Sequence, residues 1–170
     1  LTRLGHEQAR RLGERLRELG ANRIITSPFL RTLQTSEHAE RSTGIAPEVR
    51  VPLHEKGGCI AGMNESEMVG RPGMTGEEIA AQFPSYQIGP EIDGQGWWGG
   101  KPMETPAEAR RRAVWLIEET CKEFGATDER IAYVIHGDLI LLIMRHLHPQ
   151  PVNLAWNSSL TRIKVNPERA

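Results

Sequence analysis

The run Ile131-Ala132-Tyr133-Val134-Ile135 has almost no polar break and ends on His136-Gly137. A strand without a polar face needs cover on both sides, the condition met in a mainly parallel sheet with helices above and below. The rest of the chain alternates in the matching way. Thr2 can cap a helix in which Ala9, Leu12, Leu16 and Leu19 form one apolar stripe, and Gly20 can end it. Arg23-Ile24-Ile25-Thr26 reads as a short strand, with Ser27 as N-cap and Pro28 at the first position of a second helix, which Gly44 stops. Val49, Val51 and Leu53 alternate with Glu48, Arg50 and Pro52, predicting a strand with one buried face that Pro52 pushes toward an end or an edge.

Thr105-Pro106-Ala107-Glu108 predicts a capping box opening a helix with Ala113, Leu116, Ile117, Thr120 and Phe124 on one side, ended by Gly125. A further helix runs from Gly137 to about His148, and Ser159 to Val165 alternates well enough for a last strand. The pattern predicts an α/β fold, a three-layer αβα sandwich around a mainly parallel sheet. A length of 170 residues fits one domain spanning 1–170. Between Lys56 and Glu104 the pattern loosens, with only Glu77 to Phe83 helical, so 56–104 reads as an insertion or lid.

Lys+Arg (21) nearly balance Asp+Glu (22), so no whole-protein field favours nucleic acid or anionic lipid, and any anion recognition must be local. Neither nucleic-acid nor membrane partners are expected. Cys59 and Cys121 match no zinc spacing and no disulfide framework, which suits free thiols. The longest apolar run, Leu139 to Met144, is too short to span a bilayer, and residues 1–5 do not read as a signal peptide. A cytoplasmic protein is expected, and a homodimer stays compatible with the sequence.

Ligands of parallel sheets bind beyond the carboxyl ends of the strands, where helix N-termini converge. Three segments fall there: Thr26 to Arg31, Leu53 to Glu55, and Ile135 to Asp138. Arg31 lies in a helical first turn, where a cation opposes the helix dipole unless an anion is near, and its fork can grip phosphate oxygens. On that segment alone it is as readily a solvated or salt-bridged surface arginine. His136 is delivered by a strand end, and Gly137 permits close approach of backbone to a ligand; a lone histidine there is more often structural. Glu55 could act as a general acid if burial or anionic neighbours raise its pKa, and is otherwise a solvent-facing glutamate. His6, His38, His54, His146 and His148 read as structural or surface residues, and Arg145-His146 is rejected as an Arg-His-Gly remnant because Leu147 follows inside a helix.

Taken together, the segments resemble the histidine phosphatase (phosphoglycerate mutase-like) superfamily. Leu1 to Ala9 is similar to its first-helix signature, Ser27-Pro28-Phe29-Leu30-Arg31-Thr32-Leu33-Gln34-Thr35 to its Ser-Pro-x-x-Arg-x-x-Gln-Thr block, and Leu53-His54-Glu55 to its glutamate segment. Val134 to Gly137 resembles the second-histidine segment, and Asn157 to Thr161 the entry to the last strand. The resemblance implies that Arg31 and His136 belong to a phosphate pocket with Ser27 and Gly137 at the substrate, and that Glu55 is the proton donor. It implies attack by a histidine nitrogen on phosphorus with no metal and no cofactor, and a small phosphorylated metabolite as substrate.

The family's Arg-His-Gly motif lies on the first strand, ahead of the helix in which this sequence begins, so the nucleophile is expected upstream, within roughly 20 to 40 residues on the size of a strand and loop. The first strand is thus expected to be absent from this chain, and the chain alone to be inactive. The leading expectation is a phosphomonoester phosphatase. A phosphoglycerate mutase-type phosphotransferase is the rival, disfavoured because 56–104 offers only Lys56, Arg71 and Lys101 as basic residues. A catalytically dead module that retains a phosphate pocket and holds a partner through Trp97-Trp98 is the third reading.

Overall fold

Four parallel strands in the spatial order β5-β2-β1-β6 make the main sheet of the computed structural model, which describes residues 1–64, 67–148, 153 and 155–165. They are β1 (Arg23–Thr26), β2 (Glu48–Val49), β5 (Gln87–Ile88) and β6 (Ile131–Val134). A two-stranded antiparallel ribbon, β3 (Ile60–Ala61) with β4 (Val69–Gly70), stands apart. The helices are α1 (Arg3–Glu18), α2 (Leu30–Thr43), α3 (Gly76–Gln82), α4 (Pro106–Phe124) and α5 (Gly137–Leu147). The fold is therefore α/β with a parallel central sheet, as the uninterrupted apolar strand requires.

Alternation along β1 assigns the layers. Ile24 packs with Leu16, Ala39, Ala132 and Val134, joining the sheet to α1 and α2. Ile25 turns to the opposite face with Leu53, Phe124, Leu116 and Tyr133, where α4 lies. Both isoleucines are essentially inaccessible, and each such side chain stabilises the fold by roughly 1.5–3 kcal/mol. A third cluster gathers Leu33, Val49, Ile79, Phe83, Tyr86, Ile92, Trp97 and Trp98 beside β2 and β5. Segment 56–104 thus contributes a sheet strand and much of this cluster, which its loose sequence pattern did not reveal. Gly58 and Gly73, both at positive φ, lie against the faces of Trp98 and Trp97, where a Cβ would come within 2.3 and 2.4 Å of the rings.

Several local expectations hold. Thr2 caps α1, accepting from the Gly5 N–H, and Thr105 and Glu108 form a reciprocal capping box. A second capping box, Thr75 with Glu78, starts α3. Gly44 ends α2 in the left-handed conformation.

Three expectations fail. Ser27 and Pro28 do not start α2: Phe29 is the N-cap, and Ser27 lies two residues earlier with its hydroxyl turned toward His136. The strand expected over 48–53 stops at Val49, and residues 51–53 form a 3-10 turn. Pro52 explains this, because it has no N–H for a ladder and its fixed φ suits a turn. Residues 159–165 form no strand. Thr161, Ile163 and Val165 alternate with Leu160, Arg162 and Lys164 as expected, but among the described residues no strand pairs with the segment, and an unpaired strand does not stand alone.

Candidate active site

β1 and β6 are hydrogen-bonded neighbours, with Thr26 opposite Val134, so the chain leaves both strands at the same edge of the sheet. Ser27 continues the ladder by donating its N–H to the Val134 carbonyl. Within four residues of its end each strand feeds a helix, α2 after Phe29 and α5 after His136, and neither N-terminus has a side-chain cap. Two uncapped N-termini at one sheet edge present backbone donors and positive dipole ends to the same space.

Arg31, in the first turn of α2, places Nη2 2.9 Å from His136 Nδ1. A guanidinium only donates, so Nδ1 accepts, and the ring proton of the neutral imidazole sits on Nε2, which donates to Ser27 Oγ at 2.8 Å. Two bonds therefore fix the ring plane and tautomer. His136 is 4% exposed, and burial first, then the neighbouring Arg31 charge, pull its pKa down to about 3. It is neutral at ordinary pH. The Phe29 ring supports the pair, edge-on to His136 with centroids 4.9 Å apart and 4.3 Å beneath the Arg31 guanidinium carbon.

Glu55 arrives from the third segment, just beyond the 3-10 turn. Its Oε2 lies 3.8 Å from His136 Nδ1 and 4.0 Å from Arg31 Nη2. The Lys56 N–H donates to its Oε1 at 2.9 Å, and the Leu139 N–H in the first turn of α5 also bonds to the carboxyl. Burial, with Asp138 as an anionic neighbour, nevertheless raises its pKa, overcoming those bonds and the Arg31 charge. Such a carboxyl holds its proton longer than an exposed one, as a general acid must. Lys56 Nζ and Asp138 Oδ2 face each other at 3.6 Å.

Arg31, Glu55 and His136, up to 105 residues apart in sequence, thus share one neighbourhood, with Ser27 behind the imidazole and Gly137 at the first position of α5. Phe29 and Asp138 lie inside segments marked from sequence but were not themselves singled out, and Lys56 was named there only as one of the basic residues of 56–104. His54, set aside as structural, is buried against Trp97 and Trp98 and donates from Nδ1 to the Glu55 carbonyl. His6 and His38 pair with each other, and Arg145-His146 lies inside α5. Trp97 and Trp98 are 4% and 7% exposed, so neither presents an open ring face at the surface.

Cys59 and Cys121 are free thiols. Among the described residues no cluster of three or more His, Cys, Asp or Glu side chains is placed to hold a metal ion. Among them, too, no helix is long and apolar enough to cross a membrane.

The sequence profile of the histidine phosphatase superfamily (branch 1) matches residues 1–169. No curated protein matches the chain. Among solved structures, a mycobacterial glucosyl-3-phosphoglycerate phosphatase superposes with a TM-score of 0.55 at 24% identity, over 89% of this chain and 70% of that one. Bacillus stearothermophilus YhfR gives 0.56 at 23% identity, over 89% and 68%. An ecdysone phosphate phosphatase from Bombix mori, in complex with tungstate, gives 0.57 at 21% identity, over 96% and 64%. At these identities the likeness is one of fold.

Proposed function

Because the chain belongs to the histidine phosphatase superfamily, we propose that it forms the phosphate-gripping part of a metal-independent phosphatase acting on a small phosphomonoester. The observation that carries this reading is the convergence of Arg31, His136 and Glu55 where two uncapped helix N-termini meet. A phosphoryl group entering there would draw the Arg31 fork and the backbone donors of α2 and α5 onto its oxygens, and its charge would favour a proton on His136 Nδ1, making the imidazole a further donor. Ser27 keeps that imidazole in place, and Gly137 lets the phosphate approach backbone closely.

In this reading a histidine nitrogen attacks phosphorus and the P–O bond to the leaving group breaks, while Glu55 gives its proton to the departing oxygen. Water then cleaves the phosphohistidine, returning the proton to Glu55 and releasing inorganic phosphate. His136 is not the attacker, since its Nδ1 lone pair faces Arg31 and its Nε2 carries the proton donated to Ser27. The attacking histidine is assigned to an Arg-His-Gly segment ahead of Leu1. Hydrolysis is favoured over phosphoryl transfer to a second hydroxyl because two of the three basic residues of 56–104 are already engaged, Lys56 with Asp138 and Lys101 over the Trp98 ring.

Two measurements test the reading. Residues 1–170 alone should bind inorganic phosphate without turning over p-nitrophenyl phosphate, and a version extended by its natural upstream residues should turn over; hydrolysis by residues 1–170 alone would overturn the nucleophile assignment. In the active version Glu55→Gln should slow alkyl phosphates by ~100-fold or more and p-nitrophenyl phosphate far less, because only poor leaving groups need the proton.

A further inference from the structure

Glu55 is followed closely by Gly57 and Gly58, both at positive φ, so the segment presenting the carboxyl has little intrinsic stiffness. One ion pair grips it on both sides. Arg112, from α4, donates through Nη1 to the carbonyl oxygens of Pro52 at 2.7 Å and His54 at 3.0 Å, just ahead of Glu55. Its Nε and Nη2 form a bidentate pair with the two oxygens of Glu104, each at 2.7 Å. Glu104 in turn accepts from the Gly57 N–H at 3.3 Å and donates its own N–H to the Gly57 carbonyl at 3.1 Å, just beyond Glu55. Both side chains are close to fully buried, at 11% and 8% exposure. Burial alone would push the Glu104 carboxyl up, yet the bonds and charge of Arg112 hold it below the usual range, so the pair stays ionised.

We infer that Arg112 and Glu104 are positioning residues for the general acid, a two-sided clamp that holds Glu55 against Arg31 and His136 without touching the substrate. The inference rests on Glu55 being the proton donor of the proposed reaction. Its physical logic is that a buried ion pair is an expensive way to gain stability. Here every arm of the planar fork is used, and two of its bonds go to the backbone that aims one carboxyl. A misplacement of about 1 Å at a reacting group can cost ~100-fold in rate.

The test uses Arg112→Lys and Glu104→Gln in the full-length protein, because lysine keeps a positive charge beside Glu104 and glutamine keeps an acceptor for the Arg112 fork, whereas alanine would leave a cavity and an unbonded partner. A lysine ammonium can meet Glu104 or the two carbonyls but cannot reproduce the fork. The Glu55 carboxyl titration, followed by NMR with Arg31, His136, Lys56 and Asp138 unchanged around it, should fall toward the ordinary carboxylate range as the loop loosens. In the same variants kcat/KM for an alkyl phosphate should drop at least ~10-fold more than for p-nitrophenyl phosphate.

An unmoved titration in folded variants overturns the clamp. If Glu55→Gln is leaving-group selective and Arg112→Lys is not, the positioning claim alone falls. If Glu55→Gln harms all esters alike, the proton-donor reading falls and takes the positioning claim with it. Should a variant fail to melt cooperatively, amide exchange in the unaltered protein decides: protected Gly57 and Glu104 amides are expected, and exchange as fast as in an exposed loop overturns the clamp.

Discussion

The Nδ1 atom of His136 accepts a hydrogen bond from Arg31, a residue that always carries positive charge, and the imidazole is thereby kept neutral beside a cation. A phosphate dianion between them would reverse the balance of charge at the ring. The His136 titration, near pH 3 in the free protein, should therefore move upward when inorganic phosphate binds. Imidazole NMR with and without phosphate measures this; saturation with phosphate and no movement would place the anion elsewhere.

Ser27 holds the opposite side of the same ring. Ser27→Ala leaves the Nε2 proton of a buried imidazole without its acceptor, which should destabilise the protein by about 1–3 kcal/mol in urea melts and loosen the ring. Phosphate affinity should fall with it. A variant of unchanged stability and affinity would show that Ser27 is not what orients His136.

Acid should weaken the fold in a window set by two buried histidines. In the unfolded chain each takes up its proton near pH 6.5, whereas in the folded chain burial delays this to about 3 for His136 and about 4 for His54. The unfolded state thus binds more protons throughout that interval, so stability is full above about pH 6.5 and declines as the pH falls through it. Glu55 opposes this in part, since its raised pKa makes the folded state take its proton first. The lowered carboxyls of Glu48, Glu104 and Glu123 deepen the loss below about pH 4.5. Urea unfolding at several pH values should show the slope already between about pH 6.5 and 5, above the carboxylate range. A flat profile there would mean the two imidazoles are more hydrated than their packing indicates.

Gly13 in α1 offers a test by sign. At an exposed helical site Gly→Ala adds about 1 kcal/mol of stability. Here a Cβ would lie 2.5 Å from the His38 carbonyl oxygen and 2.7 Å from Ser42 Oγ, because α1 and α2 touch at this glycine. Gly13→Ala should therefore lower stability, by about 1–3 kcal/mol on the scale of overpacking. A rise in melting temperature would show that the two helices can part at little cost.

The parts of this structure that were legible in sequence are those governed by local chemistry. Thr2, Gly44 and the Thr105–Glu108 pair mark helix ends because orphaned backbone groups there demand particular side chains. The apolar run into His136 announces a strand covered on both faces. Pairings decided at long range were hidden. Gln87–Ile88 joins the sheet only through its register with Glu48 and Val49, and two residues carry no periodicity. Ser27 illustrates the competition directly. Its position before a proline favours a cap, but α2 begins later, and the hydroxyl accepts from His136, 109 positions away, as well as from the nearby Phe29 N–H. Arg112 sits in a run of three arginines whose outward-facing members look the same in sequence, and only the fold shows which one turns inward.

The pairing of β1 with β6 joins residues more than a hundred positions apart, and Ser27, Arg31 and His136 meet only once that ladder has formed. Any anion affinity of this cluster should therefore arrive late, as an all-or-none property of the assembled sheet. Phosphate affinity recovered during refolding should track the slowest tertiary step, which makes the anion a reporter of when the topology closes.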